Sequence, residues 1–314
     1  TILIMPALGA LSGSVEHRDR MTRCCQVPRH GVAHCAKANE CHVFYWSHLS
    51  WILAVKERAQ SSAIIRERNM SEGNALDVLI GAGSGIGGAL IERWQSVGQR
   101  PVLAVARSRE TLSRFYGLQR VICEETDYSD EQLMRLADTL LDRQEELARL
   151  VICNGVLQGE GYRPERALSQ LDRGAMQQVF ELNTFLPMRV LSAFMPVIKR
   201  SRSPKIAVLS ARVGSISDNR LGGWYSYRGS KAALNMMLKC VALELRRVNP
   251  QAKLMAYHPG TVDTPLSKPF QASVSAEKLF SPARAAAALD KVLNGFEVEG
   301  DLAYLDWQGQ PIPW

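Results

Sequence analysis

Three glycines in the segment "LIGAGSGIGGAL" (residues 79–90) have the spacing of a phosphate-binding turn. They are Gly81, Gly85 and Gly87, and they separate an apolar run from a helical run. One glycine permits a tight turn after a strand, and another lets the backbone approach a diphosphate. The helix that begins near Gly85 offers free N–H groups and the positive end of its dipole. A plain strand-to-helix turn that binds nothing has the same residues, so this segment alone leaves both interpretations open.

The end of the next apolar run carries positive charge. Arg107 lies 20 residues after Gly87 and is followed by Ser108 and Arg109. A site for NAD usually has Asp or Glu at this point, which accepts a hydrogen bond from the ribose 2′-hydroxyl, whereas arginine favours the 2′-phosphate of NADP. We therefore expect NADP(H) rather than NAD(H). The alternative is that these residues are surface charges at the start of a helix.

Apolar and amphipathic segments alternate from residue 75 to the end of the chain, and these are the elements that must position the charged and glycine-rich segments. Strands are expected at 75–81, 100–108, 118–127, 149–155, 205–211, 253–260 and 301–307, and helices at 87–98, 129–147, 171–201 (bent at Pro187), 224–248 and 281–295. This alternation predicts an α/β fold, a Rossmann-type doubly wound parallel sheet of about seven strands with helices on both faces. In such a sheet the ligand lies at the carboxyl ends of the strands.

The composition is that of an ordinary globular protein. The 314 residues are 46% hydrophobic and 22% charged, with a formal net charge of +7. No Lys/Arg run exceeds two residues, so the charge fits an enzyme that takes an anionic cofactor better than a nucleic-acid-binding protein. No apolar run reaches the length of a spanning helix, so we expect no membrane partner and a cytoplasmic location.

The first 69 residues differ from the rest of the chain. They hold four of the seven cysteines and five of the six histidines, but the irregular gaps between them do not match zinc-ligand spacing, so no metal site is predicted. They also lack sustained periodicity. Counted from Met70, the glycine turn begins at the twelfth residue. Our hypothesis is that Met70 is the natural start, that residues 70–314 form the catalytic domain, and that 1–69 is an N-terminal extension, either disordered or not part of the natural protein.

Three further motifs follow the glycine turn in order: "LN" at 182–183, "YRGSK" at 227–231 and "HPGTVDTP" at 258–265. Together with Gly81-x-x-x-Gly85-Ile86-Gly87 they resemble the asparagine, Tyr-x-x-x-Lys, Pro-Gly and cofactor motifs of the short-chain dehydrogenase/reductase family. The resemblance covers about residues 70–314. Within the family, "GSISDNRLGGWYSYRGSKAALNM" and "DWQGQPIPW" are similar to the branch of C-factor and sniffer-type carbonyl reductases.

The resemblance implies a catalytic set of Tyr227, Lys231, Asn183 and a serine. Tyr227 would exchange a proton with the carbonyl oxygen of a substrate. Lys231 shares its helix face, would lower the phenol pKa and would hold the nicotinamide ribose. Asn183 would anchor a water that links Lys231 to solvent. Taken alone, Tyr-x-x-x-Lys also fits an ordinary amphipathic helix.

The resemblance also implies cofactor contacts at several strand ends. Asp127 would contact the adenine ring, Asn154 and Gly155 would pack beside the adenine ribose, and the Pro-Gly segment would fix the nicotinamide carboxamide. The full expected set is Gly81, Gly83, Ser84, Gly85, Ile86, Gly87, Arg107, Ser108, Asp127, Asn154, Gly155, Tyr227, Lys231, Pro259, Gly260, Val262 and Thr264.

The serine of the family is missing from its usual place. Counting back three residues from Gly214 gives Ala211. Ser210 is adjacent, on the opposite face of the strand if the register is regular, and Ser215 lies further along. We name Ser210 as the catalytic serine, with Ser215 or an enzyme of low activity as the alternatives.

These observations predict an NADP(H)-dependent oxidoreductase that interconverts a small-molecule carbonyl and its alcohol. The loop after Thr264 is expected to close over an apolar pocket. The resemblance implies a homodimer or homotetramer that pairs through helices 171–201 and 224–248. The alternative is a low-turnover NADP-binding homologue with a signalling or scaffold role.

Overall fold

A parallel sheet lies at the centre of the computed structural model, which describes residues 75–98, 100–297 and 301–314. The strands are β1 (Ala75–Ile80), β2 (Val102–Ala106), β3 (Val121–Glu125), β4 (Glu146–Ile152), β5 (Lys205–Leu209), β6 (Lys253–His258), β7 (Thr261–Val262), β8 (Leu279–Phe280) and β9 (Leu302–Asp306). Seven of them form one sheet in the order β3-β2-β1-β4-β5-β6-β9, and β7 pairs with β8. Every neighbouring pair is parallel. The predicted doubly wound sheet is confirmed; the hypothesis on residues 1–69 and Met70 falls outside the described residues.

Helices cover both faces of this sheet. They are α1 (Gly85–Val97), α2 (Arg109–Leu112), α3 (Asp130–Asp142), α4 (Arg173–Phe180), α5 (Leu186–Arg200), α6 (Tyr225–Val248) and α7 (Pro282–Gly295). One buried cluster joins α3, α5 and α6 to the sheet, and the other joins α1 and α7 to its opposite face. Successive strand residues alternate between them: Val78 and Ile80 lie in the first cluster and Leu79 in the second. The central strands are mostly apolar because both of their faces are buried, whereas the edge strand β3 ends in two exposed glutamates.

Serine hydroxyls fix where three of the helices begin. Ser84, Ser129 and Ser281 are the N-cap residues of α1, α3 and α7, and each side chain accepts a hydrogen bond from an N–H in the first turn. Such caps satisfy donors that have no partner within the helix. The first of them also fixes the helix start that the sequence predicted at the glycine turn.

Several element boundaries differ from the sequence prediction, and two of the differences lie inside expected helices. The helix expected over 129–147 ends at Asp142, because Gln144 adopts a left-handed conformation (φ 55°) and Glu146 already pairs with β1. The bend expected at Pro187 is instead a π-helical turn over Glu181–Phe185. Pro187 follows it in the first turn of α5, where proline is tolerated better than in a helix interior.

Candidate active site

Two glycines of the turn between β1 and α1 stand where a side chain would be too close to its neighbours. Gly81 has a left-handed backbone (φ 89°), and a Cβ added there would lie 3.0 Å from Asn154 Oδ1. A Cβ on Gly87 would lie 2.6 Å from the Gly81 carbonyl oxygen. The two glycines therefore let α1 begin directly against the end of β1, as a dinucleotide-binding turn requires.

The surroundings of this turn fit a dinucleotide. The first N–H groups of α1 have no helical acceptor and lie at the positive end of the helix dipole. Asn154 Oδ1 is buried beside Gly81 and has no hydrogen-bond partner in the described part of the chain. The methyl group of Thr264 would lie 2.9 Å from a Cβ on Gly85, which brings the segment after β6 onto the start of α1.

Positive charge stands next to the turn at the end of β2. The N–H groups of Gly81 and Ala82 both donate to the Val105 carbonyl, two residues before Arg107. Arg107 is exposed. Arg109, by contrast, is held by Glu125 through an Nε–Oε2 contact of 2.9 Å. Arg109 is therefore paired within the protein, and the contact of Arg107 with a cofactor stays a prediction.

Two other residues expected near the adenosine half serve local turns. Asp127 is exposed, and its Oδ1 accepts from the Ser129 N–H at 2.7 Å. Hydrogen bonds from the side chain and the backbone of Ser129 lower the pKa of this carboxyl. Ser108 is the N-cap residue of α2, and its carbonyl accepts from the Thr111 hydroxyl at 2.8 Å. Both lie after neighbouring strands of the sheet, so their contact with adenosine stays a prediction.

Tyr227 and Lys231 lie in the first two turns of α6. Lys231 is 3% exposed, and its Nζ donates to the Leu209 carbonyl at 2.8 Å. Burial lowers the pKa of this lysine to about 7. Burial and the neighbouring Tyr304 raise the pKa of Tyr227 above its ordinary value. Lys231 is not among the causes of this shift, so the lowering of the Tyr227 pKa by Lys231 stays a prediction.

Asn183 lies in the π-helical turn and ties the loop after β4 to α6. Its Oδ1 accepts from the Val156 N–H at 2.7 Å, and its Nδ2 donates to the Val156 carbonyl at 2.8 Å and to Ser230 Oγ at 3.1 Å. The side chain is fully buried. Since it is engaged within the protein, Asn183 positions the site, and the water expected beside it stays a prediction.

Gly155 allows that loop to approach the catalytic pair. A Cβ at this position would lie 3.3 Å from Asn183 Oδ1 and 3.5 Å from Lys231 Nζ. The ends of β1 and β4 and the start of α6 therefore meet at one edge of the sheet.

The serines near the end of β5 are both engaged within the protein. Ser210 Oγ donates to Asn235 Oδ1 at 2.7 Å. Asn235 lies eight residues beyond Tyr227 on α6, a rise of about 12 Å along the helix. Ser215 Oγ accepts from the Asp218 N–H at 3.1 Å. At Ala211, where the family has its serine, the carbonyl accepts from the Tyr304 hydroxyl at 2.7 Å.

The Pro-Gly segment turns sharply back toward the sheet. Gly260, after Pro259, has a left-handed backbone (φ 79°), and a Cβ there would lie 2.8 Å from the Phe280 ring. Val262 is buried in β7, which pairs with β8. This pairing carries Thr264 to the start of α1. The Pro-Gly segment and the glycine turn are thus brought together.

The sequence prediction missed three residues that shape the site. Ser230 receives the Asn183 side chain and donates to the Tyr227 carbonyl at 2.9 Å. Glu165 and Trp224 flank the start of α6. Ser230 lies inside "YRGSK" and could have been found there, whereas nothing in the local sequence links Glu165 to α6.

Comparison with known proteins decides the family. Residues 77–275 match the family model described as short chain dehydrogenase. The chain belongs to the short-chain dehydrogenase family. C-signal of Myxococcus xanthus is 32% identical over 148 residues, which are 47% of this chain and 84% of that protein.

Solved structures show the same fold. Carbonyl reductase Sniffer of D. melanogaster has a TM-score of 0.66 and 18% identity, and the match covers 77% of this chain and 100% of that one. The NADPH-bound carbonyl reductase from chicken fatty liver has a TM-score of 0.64 and 23% identity, over 76% of this chain and 99% of that one. C-signal supports the C-factor side of the resemblance, whereas the two solved structures, at 18% and 23% identity, show the fold.

The described residues hold neither a cluster of metal ligands nor a membrane-spanning helix. No three His, Cys, Asp or Glu side chains among them come together as metal ligands. None of the helices in the described ranges combines the length and hydropathy that a bilayer crossing requires. The cysteine- and histidine-rich segment lies outside these ranges.

Proposed function

We propose that this chain is an NADP(H)-dependent oxidoreductase that interconverts a small-molecule carbonyl and its alcohol. The observation that carries the proposal is the meeting of the glycine turn, the loop after β4 and the Tyr227–Lys231 helix, with Lys231 Nζ 3.5 Å from a Cβ position on Gly155. A tight diphosphate turn beside a phenol and a buried ammonium group is an arrangement for hydride transfer coupled to proton transfer.

Each residue has a defined task in this reaction. The reduced nicotinamide, when bound, supplies a hydride to the carbonyl carbon. As the C=O π pair moves onto oxygen, Tyr227 donates its phenolic proton there, and in the reverse direction the phenolate takes it back. Lys231, when protonated, lies on the same helix face and stabilises the phenolate. Asn183 and Ser230 hold the loop and the helix at the spacing that this transfer needs.

The preference for NADP(H) over NAD(H) rests on Arg107. Its exposed guanidinium follows β2 next to the glycine turn, with Ser108 beside it. A guanidinium makes strong charge-assisted hydrogen bonds to a phosphate and has no equivalent partner in a free 2′-hydroxyl. The NADPH carried by the chicken carbonyl reductase is consistent with this proposal.

Ser210 and Ser215 are the two candidates for the serine that hydrogen-bonds the substrate oxygen. Ser210 would have to leave Asn235 to reach a substrate oxygen near Tyr227. Losing a donor to a developing oxyanion costs on the order of a hundredfold in rate. We keep Ser210 as the proposed residue; unchanged turnover in both Ser210→Ala and Ser215→Ala would exclude a serine role.

The deciding experiment measures NADPH and NADH oxidation across a panel of aldehydes and ketones, for the wild type and Tyr227→Phe. Removal of a general acid should reduce kcat by about 10²–10⁴-fold while NADPH binding is retained. Met134→Ala, an exposed position on α3, is the control and should keep wild-type turnover.

The same experiment distinguishes the proposed oxidoreductase from the alternative, a low-turnover NADP-binding protein. NADPH binding without turnover on any carbonyl, and no effect of Tyr227→Phe, would contradict the proposal. That result would favour a low-turnover NADP-binding protein, which the engaged serines and Ala211 make the second candidate.

We also propose that the protein is a homodimer or homotetramer. Apolar side chains are exposed on two neighbouring helical segments, α4 with the π-helical turn that follows it, and the middle of α6. They are Met176, Phe185, Met236, Met237 and Leu243. Exposed apolar side chains on neighbouring helices are the surface on which we expect the subunits to pair.

A further inference from the structure

Three partly exposed aromatic rings stand together at the start of α6. The Trp224 ring packs edge-on against Tyr227, with centroids 6.2 Å apart, and against Phe270, with centroids 5.1 Å apart. Phe270 belongs to the 3-10 turn Lys268–Ser273 in the segment after the Pro-Gly motif. The indole therefore bridges the proposed acid–base phenol and the loop that faces it.

The backbone that presents Trp224 is held in an unfavourable conformation. Gly222, Gly223 and Trp224 are consecutive left-handed residues, with φ of 63°, 63° and 51°. Glycine tolerates this region, but a residue with a Cβ rarely adopts it unless its surroundings enforce it. The conformation of Trp224 is therefore imposed by contacts outside its own segment.

Glu165 supplies those contacts. Its carbonyl accepts from the Trp224 N–H at 2.5 Å. Its carboxylate accepts from the Ser226 N–H at 3.2 Å and from the Ser226 hydroxyl. Glu165 is 5% exposed. A buried carboxylate at the start of α6 meets free N–H donors and the positive end of the dipole, so both its main chain and its side chain fix the residues just before Tyr227.

We infer that Trp224 is a specificity-determining residue, which with Phe270 forms an aromatic wall beside Tyr227 for a planar aromatic carbonyl substrate. A flat aromatic ring can form edge-to-face or offset-stacked contacts with this wall. A puckered aliphatic ring of the same size has no π system and lacks these contacts. Glu165 is the positioning residue for Trp224. The inference rests on the proposed function and names the substrate class of the same site.

The test compares benzaldehyde with cyclohexanecarbaldehyde, which match in size and differ in planarity. The ratio of their kcat/KM values is measured with NADPH for the wild type, Trp224→Ala, Trp224→Phe and Phe270→Leu. The ratio between enzymes cancels the difference in intrinsic reactivity of the two aldehydes. Met134→Ala serves again as the distant control.

Trp224→Ala should lower the benzaldehyde preference by about 2- to 10-fold, chiefly through a higher KM for benzaldehyde. Phe270→Leu should lower it in the same direction, and Trp224→Phe should restore most of it. Glu165→Gln, which keeps the size of the side chain, should shift the preference toward that of Trp224→Ala. NADPH affinity should stay at the wild-type value in all four variants.

The measurements distinguish a failure of the inference on Trp224 from a failure of the proposed function. If Trp224→Ala changes both aldehydes by the same factor, or changes neither, the ring has only a structural role and the inference is wrong while the proposed function stands. If the wild type turns over neither aldehyde nor any other carbonyl, the proposed function fails and this inference fails with it.

Discussion

At the residue scale, the environment of Lys231 predicts an unusual pH dependence of stability. The pKa of this lysine is lowered from 10.5 to about 7 because burial disfavours its charged form. Between these values the unfolded chain binds a proton that the folded chain lacks. Folding therefore becomes more favourable as pH rises through this window, by up to about 1.4 kcal/mol per pH unit. Below pH 7 the lysine is protonated in both states and the gain is absent.

Lys231→Met should remove this gain. Urea unfolding of both proteins at pH 7 and pH 9.5 should show the wild type gaining a few kcal/mol relative to the variant. From pH 5 to 6.5 the two stability curves should run parallel, which is the internal control. Parallel curves across the whole range would contradict the lowered pKa.

Two arginines two residues apart provide a second residue-scale contrast. Arg107 is exposed beside the glycine turn, while Arg109 is paired with Glu125. Arg107→Asp should weaken NADPH binding by roughly 10- to 100-fold, since hydrogen bonds between charged groups contribute about 1.5–3 kcal/mol, and should favour NADH. Arg109→Ala is the matched control and should change NADPH affinity less than threefold. Fluorescence titration gives the Kd of each variant for NADPH and NADH. Equal losses of NADPH affinity in the two variants would contradict a role for Arg107 in cofactor binding.

At the element scale, α1 can begin close to β1 because glycine, which has no Cβ, stands at the points of contact. A Cβ on Gly87 would press against the Gly81 carbonyl oxygen at 2.6 Å, a main-chain atom that cannot rotate away. Gly87→Ala should therefore cost about 1–3 kcal/mol in the free energy of unfolding and weaken NADPH binding.

Gly295 offers the matched control for that substitution. It is the last residue of α7, and a Cβ added there would meet nothing within 4 Å. Gly295→Ala should be neutral or stabilise by up to about 1 kcal/mol, because it only reduces the freedom of the unfolded chain. Equal unfolding midpoints for the two variants would contradict the steric argument.

At the scale of the whole molecule, a buried charge network joins the sheet to the helices at the end remote from the site. Arg149 on β4 contacts Asp77 on β1 through Nε–Oδ1 at 2.7 Å and Asp290 on α7 through Nη1–Oδ1 at 2.9 Å. Its guanidinium also lies over the Trp94 ring of α1, 4.1 Å from the centroid. One arginine thus connects two strands and two helices.

Arg149→Met should destabilise the fold without changing the chemistry. It leaves two buried carboxylates without their shared cation, which costs roughly 3–5 kcal/mol. Arg100→Met removes a half-exposed partner of the same Asp77 and should cost less than about 1 kcal/mol. Urea unfolding compares the two variants, and kcat per folded molecule should match the wild type in both. A cost for Arg149→Met no larger than that for Arg100→Met would overturn the account.

The sequence by itself determined the architecture and the order of the motifs. The strands are apolar runs and the helices amphipathic runs, so local periodicity locates Ala75–Ile80 or Tyr225–Val248 without knowledge of their neighbours. The glycine turn and "YRGSK" are likewise local patterns. The errors at residues 143–147 and at Pro187 arose where a left-handed turn and a π-helical turn interrupt the local period.

Only the tertiary structure decided which side chains meet. Glu165 reaches Ser226 across 61 positions, Arg149 reaches Asp290 across 141, and Ser210 is held by Asn235. Such contacts depend on where several elements end in space, and no local pattern encodes them. The same is true of the Lys231 pKa, because desolvation is a property of the packing around a group and is absent from its sequence neighbourhood.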